Sequence, residues 1–140
     1  MVNNAGIYDA TTKYGSHNIS TDMKVIETNL MGTILGTTLA LEKMSRDSGG
    51  AGGLIIQISS VAALITTKAS SLYKASKYGV LGYVRSHGLE AERATGVRMM
   101  AVCPGMTDTL LVRKATNILE GELKFDEATR ALQPEEVPAS

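Results

Sequence analysis

Tyr73 and Lys77 stand four residues apart in Tyr73-Lys74-Ala75-Ser76-Lys77, the spacing that puts two side chains on one face of a helix. A phenol beside an ammonium is a candidate acid/base. An ordinary phenol titrates near ~10, and bringing it to work as a base near neutrality takes about 3 to 4 kcal/mol. A unit charge about 4 Å away supplies about that much at an effective dielectric of 20, but only about 1 kcal/mol in open water. The pair therefore does chemistry only in a dry site. On a wet surface it is a tyrosine with a neighbouring lysine. Tyr78 has no lysine four residues on and is not an equivalent candidate.

The elements that would hold such a pair can be read from hydrophobic periodicity. Apolar residues recur at Met23, Ile26, Leu30, Ile34 and Leu41, which predicts a helix with one buried stripe from Ser20 or Thr21 to about Met44, either hydroxyl serving as N-cap. A glycine-rich stretch from Gly49 to Gly53 breaks it, and Leu54-Ile55-Ile56-Gln57-Ile58 predicts a short parallel strand covered on both faces. A second helix is expected from about Ser71 to Arg93, ended by Gly96, then a strand over Val97–Cys103. Met1-Val2 reads as the end of an earlier strand, and the tail from Thr109 to Arg130 as moderately helical. Strands joined through helices are parallel, so the fold class is α/β with repeated βαβ units in a single domain.

In open α/β sheets ligands bind beyond the carboxyl ends of the strands. Three such ends are polar or glycine-bearing here: Asn3-Asn4-Ala5-Gly6, Ser59-Ser60, and Pro104-Gly105-Met106-Thr107-Asp108-Thr109. Each alone is an ordinary turn. Together they would line one rim.

Composition narrows the classes. Lys+Arg and Asp+Glu both total 14, so no net basic field draws nucleic acid or anionic membranes. No apolar run approaches the ~20 residues of a membrane span. Cys103 is the single cysteine and cannot form an internal disulfide, and the start Met1-Val2-Asn3-Asn4 is not that of a secretory leader, which together read as cytosolic. His17 and His87 lie far apart with no cysteine or acidic cluster at ligand spacing, so no metal site is expected. The seven methionines are dispersed and read as core filler. The glycines at 49–53 enter a strand, whereas a phosphate loop leaves a strand and opens a helix, so they are not read as a phosphate site.

Asn3-Asn4-Ala5-Gly6, then Asn29, Ser60, Tyr73-x-x-x-Lys77 and Pro104-Gly105 form an ordered set that resembles the signature of the short-chain dehydrogenases/reductases. The gaps agree, Asn29 lying 44 residues and Ser60 13 residues before Tyr73. The resemblance runs from Met1 to about Thr109, and more loosely to Pro134. It implies Tyr73 as acid/base, Ser60 as hydrogen-bond donor to the substrate oxygen, Lys77 as holder of the nicotinamide ribose, and Asn29 as anchor of a water leading from Lys77 to solvent. It also implies that Asn4, Ala5, Gly6, Tyr73, Lys77, Pro104, Gly105, Thr107 and Thr109 contact the cofactor. Ser60 is preferred to Ser59 on spacing alone, and Thr107 departs from the Val or Ile of many relatives.

The implied activity is hydride transfer between a hydrophobic secondary alcohol, or its ketone, and NAD, with NADP left open by the residues. Within the family, the glycine run, Ile58-Ser59-Ser60 and Val102-Cys103-Pro104-Gly105 are similar to the branch of NAD-dependent prostaglandin dehydrogenases and insect alcohol dehydrogenases. The implied fold is a Rossmann-type doubly wound parallel sheet of which residues 1–140 carry the second half, about three strands with long flanking helices. The glycine-rich pyrophosphate turn would precede Met1, and a further helix and strand would follow the C-terminus. The two long helices imply a homodimer. The alternative reading is a truncated, catalytically silent form that acts only as a dimerisation partner.

Overall fold

A computed structural model describes residues 1–8, 18–65 and 70–113 of the chain. Three parallel strands, β1 (Val2–Asn3), β2 (Gly53–Ile58) and β3 (Val97–Val102), form one open sheet in the order β1-β2-β3. Val2 lies opposite Ile56, and Gly53 to Ile58 run opposite Val97 to Val102 in unbroken register. Helices α1 (Ile19–Ile26) and α2 (Gly32–Met44) lie between β1 and β2, and α3 (Ser71–Thr95) connects β2 to β3. This is the α/β architecture that the order of elements predicts. The expected helix in the tail falls largely at 114–130, outside the described residues.

The first helix departs from expectation in three ways. Its N-cap is Asn18, whose Oδ1 accepts from the backbone N–H groups of Ser20 and Thr21, so the hydroxyl residues lie inside the first turn. A π-helical turn, Glu27–Met31, interrupts it. Its buried stripe is Val25, Asn29, Thr33, Thr37 and Ala40, while Met23 is exposed and the other expected apolar positions are half-buried. A threonine hydroxyl can be buried in a helix because it bonds back to the preceding turn. Thr33 and Thr37 do so, donating to the carbonyls of Asn29 and Thr33 at 2.8 and 2.7 Å.

The same stripe meets a polar pair on the sheet. Gln57, fully buried in β2, donates from Nε2 to Thr37 Oγ1 at 2.6 Å and accepts from Asn3 Nδ2 of β1 at 2.8 Å. A small apolar core of Ala40, Ile55 and Val97, with Leu41, Met44 and Met99 against it, completes the contact of α2 with the sheet. Helix α3 approaches the same face, and a Cβ at Gly88 would stand 3.5 Å from that of Met99. Leu54, Ile56 and Ile58 are half-buried and Met100 and Val102 exposed, so among the described residues the sheet is covered on one face rather than two.

The glycine run forms a tight entry into β2. A Cβ at Gly50 would fall 2.4 Å from the carbonyl oxygen of Met44, and one at Gly52, where φ is +78°, 2.5 Å from that of Gly96. The run thus lets the backbone pass close to the ends of α2 and α3, which is why a side chain has no room there.

Candidate active site

The carboxyl ends of the three strands and the first turns of α3 enclose a cleft of about 560 Å³. Its apolar side is formed by Val2, Ile56, Ile58 and Val102, and its polar side by Ser59, Ser60, Tyr73 and Lys77. Backbone bonds fix the far wall: Ser59 N–H donates to Val102 O at 2.8 Å, and Val61 N–H to Pro104 O at 2.9 Å. These hold the Pro104–Gly105 corner beside Ser60.

The two serines that spacing alone could hardly separate have different partners. Ser59 is buried, and its hydroxyl donates to the backbone carbonyl of Lys77 at 2.9 Å, which ties α3 to the end of β2. Ser60 has extended backbone, accepts from Ala62 N–H at 3.1 Å, and hydrogen-bonds the Tyr73 phenol. Lys77 is buried with its ammonium 5.6 Å from the centre of the Tyr73 ring, and it donates to Ile58 O at 2.8 Å. Helical spacing thus places Tyr73 and Lys77 on one face, and the end of β2 supplies both with polar partners.

The electrostatics correct one expectation. Burial raises the Tyr73 phenol above its ordinary value, the Ser60 hydrogen bond opposes this, and Tyr8 adds to the rise. The Lys77 ammonium does not prevail, because it points at Ile58 O and is itself pushed down by burial, a fall that nearby Cys103 partly opposes. A dry site strengthens the pull of a charge but also penalises the charge it would create. The phenol therefore keeps its proton to higher pH than a free tyrosine does.

Asn29 sits in the π turn and is buried to 1% exposure. Its amide clamps the peptide of Ile7, accepting from the N–H at 2.8 Å and donating to the carbonyl at 2.9 Å, and it also donates to Ser76 Oγ at 3.0 Å. Ser76 passes its own proton to the carbonyl of Tyr73 at 2.7 Å. Gly6 lies over this junction, where a Cβ would stand 3.5 Å from Lys77 Nζ and 3.6 Å from Asn29 Oδ1. A residue at 6 with a longer side chain would fill the cleft beside the ammonium.

The structure brings Asn4, Gly6, Ser60, Tyr73, Lys77, Pro104, Gly105, Thr107 and Thr109 to the cleft. Ala5 faces instead a smaller neighbouring depression with Asn3, Thr28, Gly32 and Thr33. Asn29 lies behind the cleft rather than on its surface. Sequence reasoning missed the supporting roles of Ser59, Ser76 and Ile7. It also missed Tyr8, whose ring packs on that of Tyr73 at 5.0 Å and whose hydroxyl bonds Ser70 Oγ. A signal for one part was present: threonines at 33 and 37 continue the four-residue spacing from Asn29.

These residues suit the nicotinamide half of a dinucleotide. A flat ring matches the apolar strand ends, the ammonium gives, among the described residues, one of its three N–H groups to Ile58 O, and Thr107 and Thr109 also line the cleft. Among the described residues no group of three or more His, Cys, Asp or Glu could hold a metal ion, and no helix is long and apolar enough to cross a membrane.

An open parallel sheet with Ser, Tyr and Lys converging on its carboxyl rim is the arrangement of a nucleotide-linked oxidoreductase, and the sequence profile described as short chain dehydrogenase matches residues 1–119. The chain belongs to the short-chain dehydrogenase family. It is 39% identical over 113 residues to 15-hydroxyprostaglandin dehydrogenase (NAD+) of Homo sapiens, covering 80% of this chain and 39% of that one. It is 38% identical over 112 residues to alcohol dehydrogenase 1 of Ceratitis capitata, covering 79% and 40%. A solved structure of ElxO with NADP bound superposes with a TM-score of 0.74 at 28% identity, over 94% of this chain and 53% of that one. The chain thus spans about two-fifths of the length of these curated relatives.

Proposed function

We propose that the chain carries the catalytic half of an oxidoreductase that interconverts a hydrophobic secondary alcohol and its ketone with NAD(H), NADP(H) being the second choice. The observation that carries this reading is the Ser60–Tyr73 hydrogen bond with the buried Lys77 ammonium on the same helix face, all at one end of the cleft. When bound, the nicotinamide supplies the site that gives or takes a hydride. Tyr73 in its protonated form, which burial favours, donates its proton to the ketone oxygen in the reducing direction; in the oxidising direction its phenolate form takes the hydroxyl proton and becomes the phenol again. Ser60 donates toward the same oxygen as charge develops on it. Lys77 orients the ribose, and Asn29 anchors the water path from the ammonium to solvent. Asn4, Gly6, Pro104, Gly105, Thr107 and Thr109 surround the dinucleotide from the cleft, and Ala5 meets it from the depression beside the cleft.

The NAD preference and the hydrophobic substrate follow the prostaglandin and insect alcohol dehydrogenase relatives, and the apolar strand ends agree with such a substrate. A cytosolic homodimer through the long helices is the assembly we favour. Met31, Leu35 and Leu39 are exposed at four-residue spacing along one side of the helix, a stripe that a second copy would cover.

The test is reduction of NAD by a panel of hydrophobic secondary alcohols, followed by the appearance of nicotinamide absorbance. Tyr73→Phe is expected to lower the rate by about 100-fold or more, the usual contribution of a positioned acid/base. Equal rates in Tyr73→Phe and the unaltered chain would refute the assignment.

A further inference from the structure

We infer that Tyr8 is a positioning residue for the Tyr73 phenol, acting through the packing of its ring on that of Tyr73. The inference rests on the reading of Tyr73 as the acid/base. It starts from Ser70, the residue before α3. Among the described residues Ser70 is the only non-glycine with positive φ, +60°, and it is buried at 6% exposure. A serine at this position ordinarily caps its helix through the side chain. Ser70 makes no such cap, and its hydroxyl bonds the phenol of Tyr8 instead. The left-handed backbone and the missing cap both disfavour this turn, and non-glycine residues held this way need surroundings that over-determine them. The bond to Tyr8 is one such restraint.

Tyr8 is in turn held from behind. Asn29 clamps the preceding peptide, that of Ile7, through two hydrogen bonds at 2.8 and 2.9 Å. The loop after β1 therefore grips α3 on both sides of Tyr73: at Ser70 through Tyr8, and at Ser76 through Asn29, 3.0 Å away. Between these points the Tyr8 ring lies on the Tyr73 ring, 5.0 Å between centres and tilted 45°. The same loop carries Asn4 and Gly6 into the cleft. Its placement and that of the phenol are thereby coupled. Among the described residues, Tyr8 from this loop and Lys77 from its own helix are ionisable groups that face Tyr73, and Cys103 after β3 faces Lys77. Packed on the Tyr73 ring, the Tyr8 ring would, on this inference, help to keep water from the phenol.

The experiment is an NMR titration of the full chain labelled at the tyrosine ring Cζ carbon, the Tyr73 signal being identified by its loss in Tyr73→Phe. In Tyr8→Leu the Tyr73 signal is expected to titrate closer to the ordinary phenol value of about 10, because the covering ring is gone. Tyr8→Phe keeps the ring, so it should keep most of the elevation, losing only the part that arises from a second phenolate. Retention in Tyr8→Phe with a drop in Tyr8→Leu supports the inference. An unchanged Tyr73 titration in folded Tyr8→Leu overturns it. Should Tyr8→Leu fail to fold, Tyr8→Trp replaces it: a ring of different size must displace the Tyr73 titration, and an unchanged curve again overturns the inference. The readout requires no turnover, so an inactive chain would contradict the oxidoreductase reading and leave this measurement intact.

Discussion

Thr37→Val exchanges a hydroxyl for a methyl at a site with 0% exposure and leaves side-chain volume nearly constant. The effect therefore comes from hydrogen bonding. Thr37 Oγ1 accepts from Gln57 Nε2 at 2.6 Å and from Asn3 Nδ2 at 3.2 Å, and donates to Thr33 O at 2.7 Å. Asn3 Nδ2 keeps Gln57 Oε1 at 2.8 Å, and Thr33 O keeps its place in the helix. Gln57 Nε2 is left facing a methyl group in a position that water does not reach. Orphaning a buried neutral donor costs about 1 to 3 kcal/mol, so the expected loss is about 2 kcal/mol. With a urea slope of about 1.5 to 2 kcal/mol per M, the unfolding midpoint should fall by roughly 1 M at unchanged slope. Thr38→Val is the control, since Thr38 is exposed and its hydroxyl donates only to Ile34 O at 3.1 Å. It should stay within about 0.5 kcal/mol of the unaltered chain. Equal midpoints for Thr37→Val and Thr38→Val would refute the claim that the polar stripe of α2 is locked to the sheet.

Gly36→Ala places a Cβ 2.6 Å from Asn3 Oδ1 and should lower the same midpoint by disturbing that lock, as urea unfolding would show. The Tyr73 value is raised in the folded state, so the folded chain keeps that proton longer than the unfolded one. Its contribution is full below about 10 and is lost as pH rises through the folded value. Stability measured against pH should accordingly fall less steeply above about 10 in Tyr73→Phe than in the unaltered chain. Lys77 has the opposite linkage: its folded value is depressed below 10.5, so the buried ammonium costs stability near neutrality and the cost is relieved as pH climbs toward that value. The stability difference between Lys77→Met and the unaltered chain should therefore shift in favour of the unaltered chain as pH rises from 7 toward 10, as urea midpoints at the two pH values would show.

Strands β2 and β3 were legible from their apolar runs, and Gly96 marks the end of α3 where the backbone turns left-handed at φ +72°. The candidate site was legible because its chemistry depends on residue type at fixed spacing: a phenol and an ammonium four apart need only a helix to meet. What escaped was the polar burial. Helical periodicity weighs apolar residues, so it selected Met23, Ile26 and Leu30, whereas the helix turns inward the residues whose hydroxyls and amide can bond the preceding turn or the sheet. The N-cap moved to Asn18 for a similar reason, since its short amide reaches two backbone N–H groups at once. The sign of the Tyr73 shift also lay beyond the sequence. Spacing says that Lys77 is near, but only the fold shows that its ammonium is aimed at Ile58 O.

The most direct test of the central claim is an NADH fluorescence titration of the purified, folded chain, with Lys77→Ala beside it. Saturable binding that is lost or much weakened in Lys77→Ala is the predicted result, since the buried ammonium is the cationic side chain in the described cleft. Absence of saturable binding by the folded chain, or binding that Lys77→Ala leaves unchanged, would contradict the assignment of this cleft as the nicotinamide site.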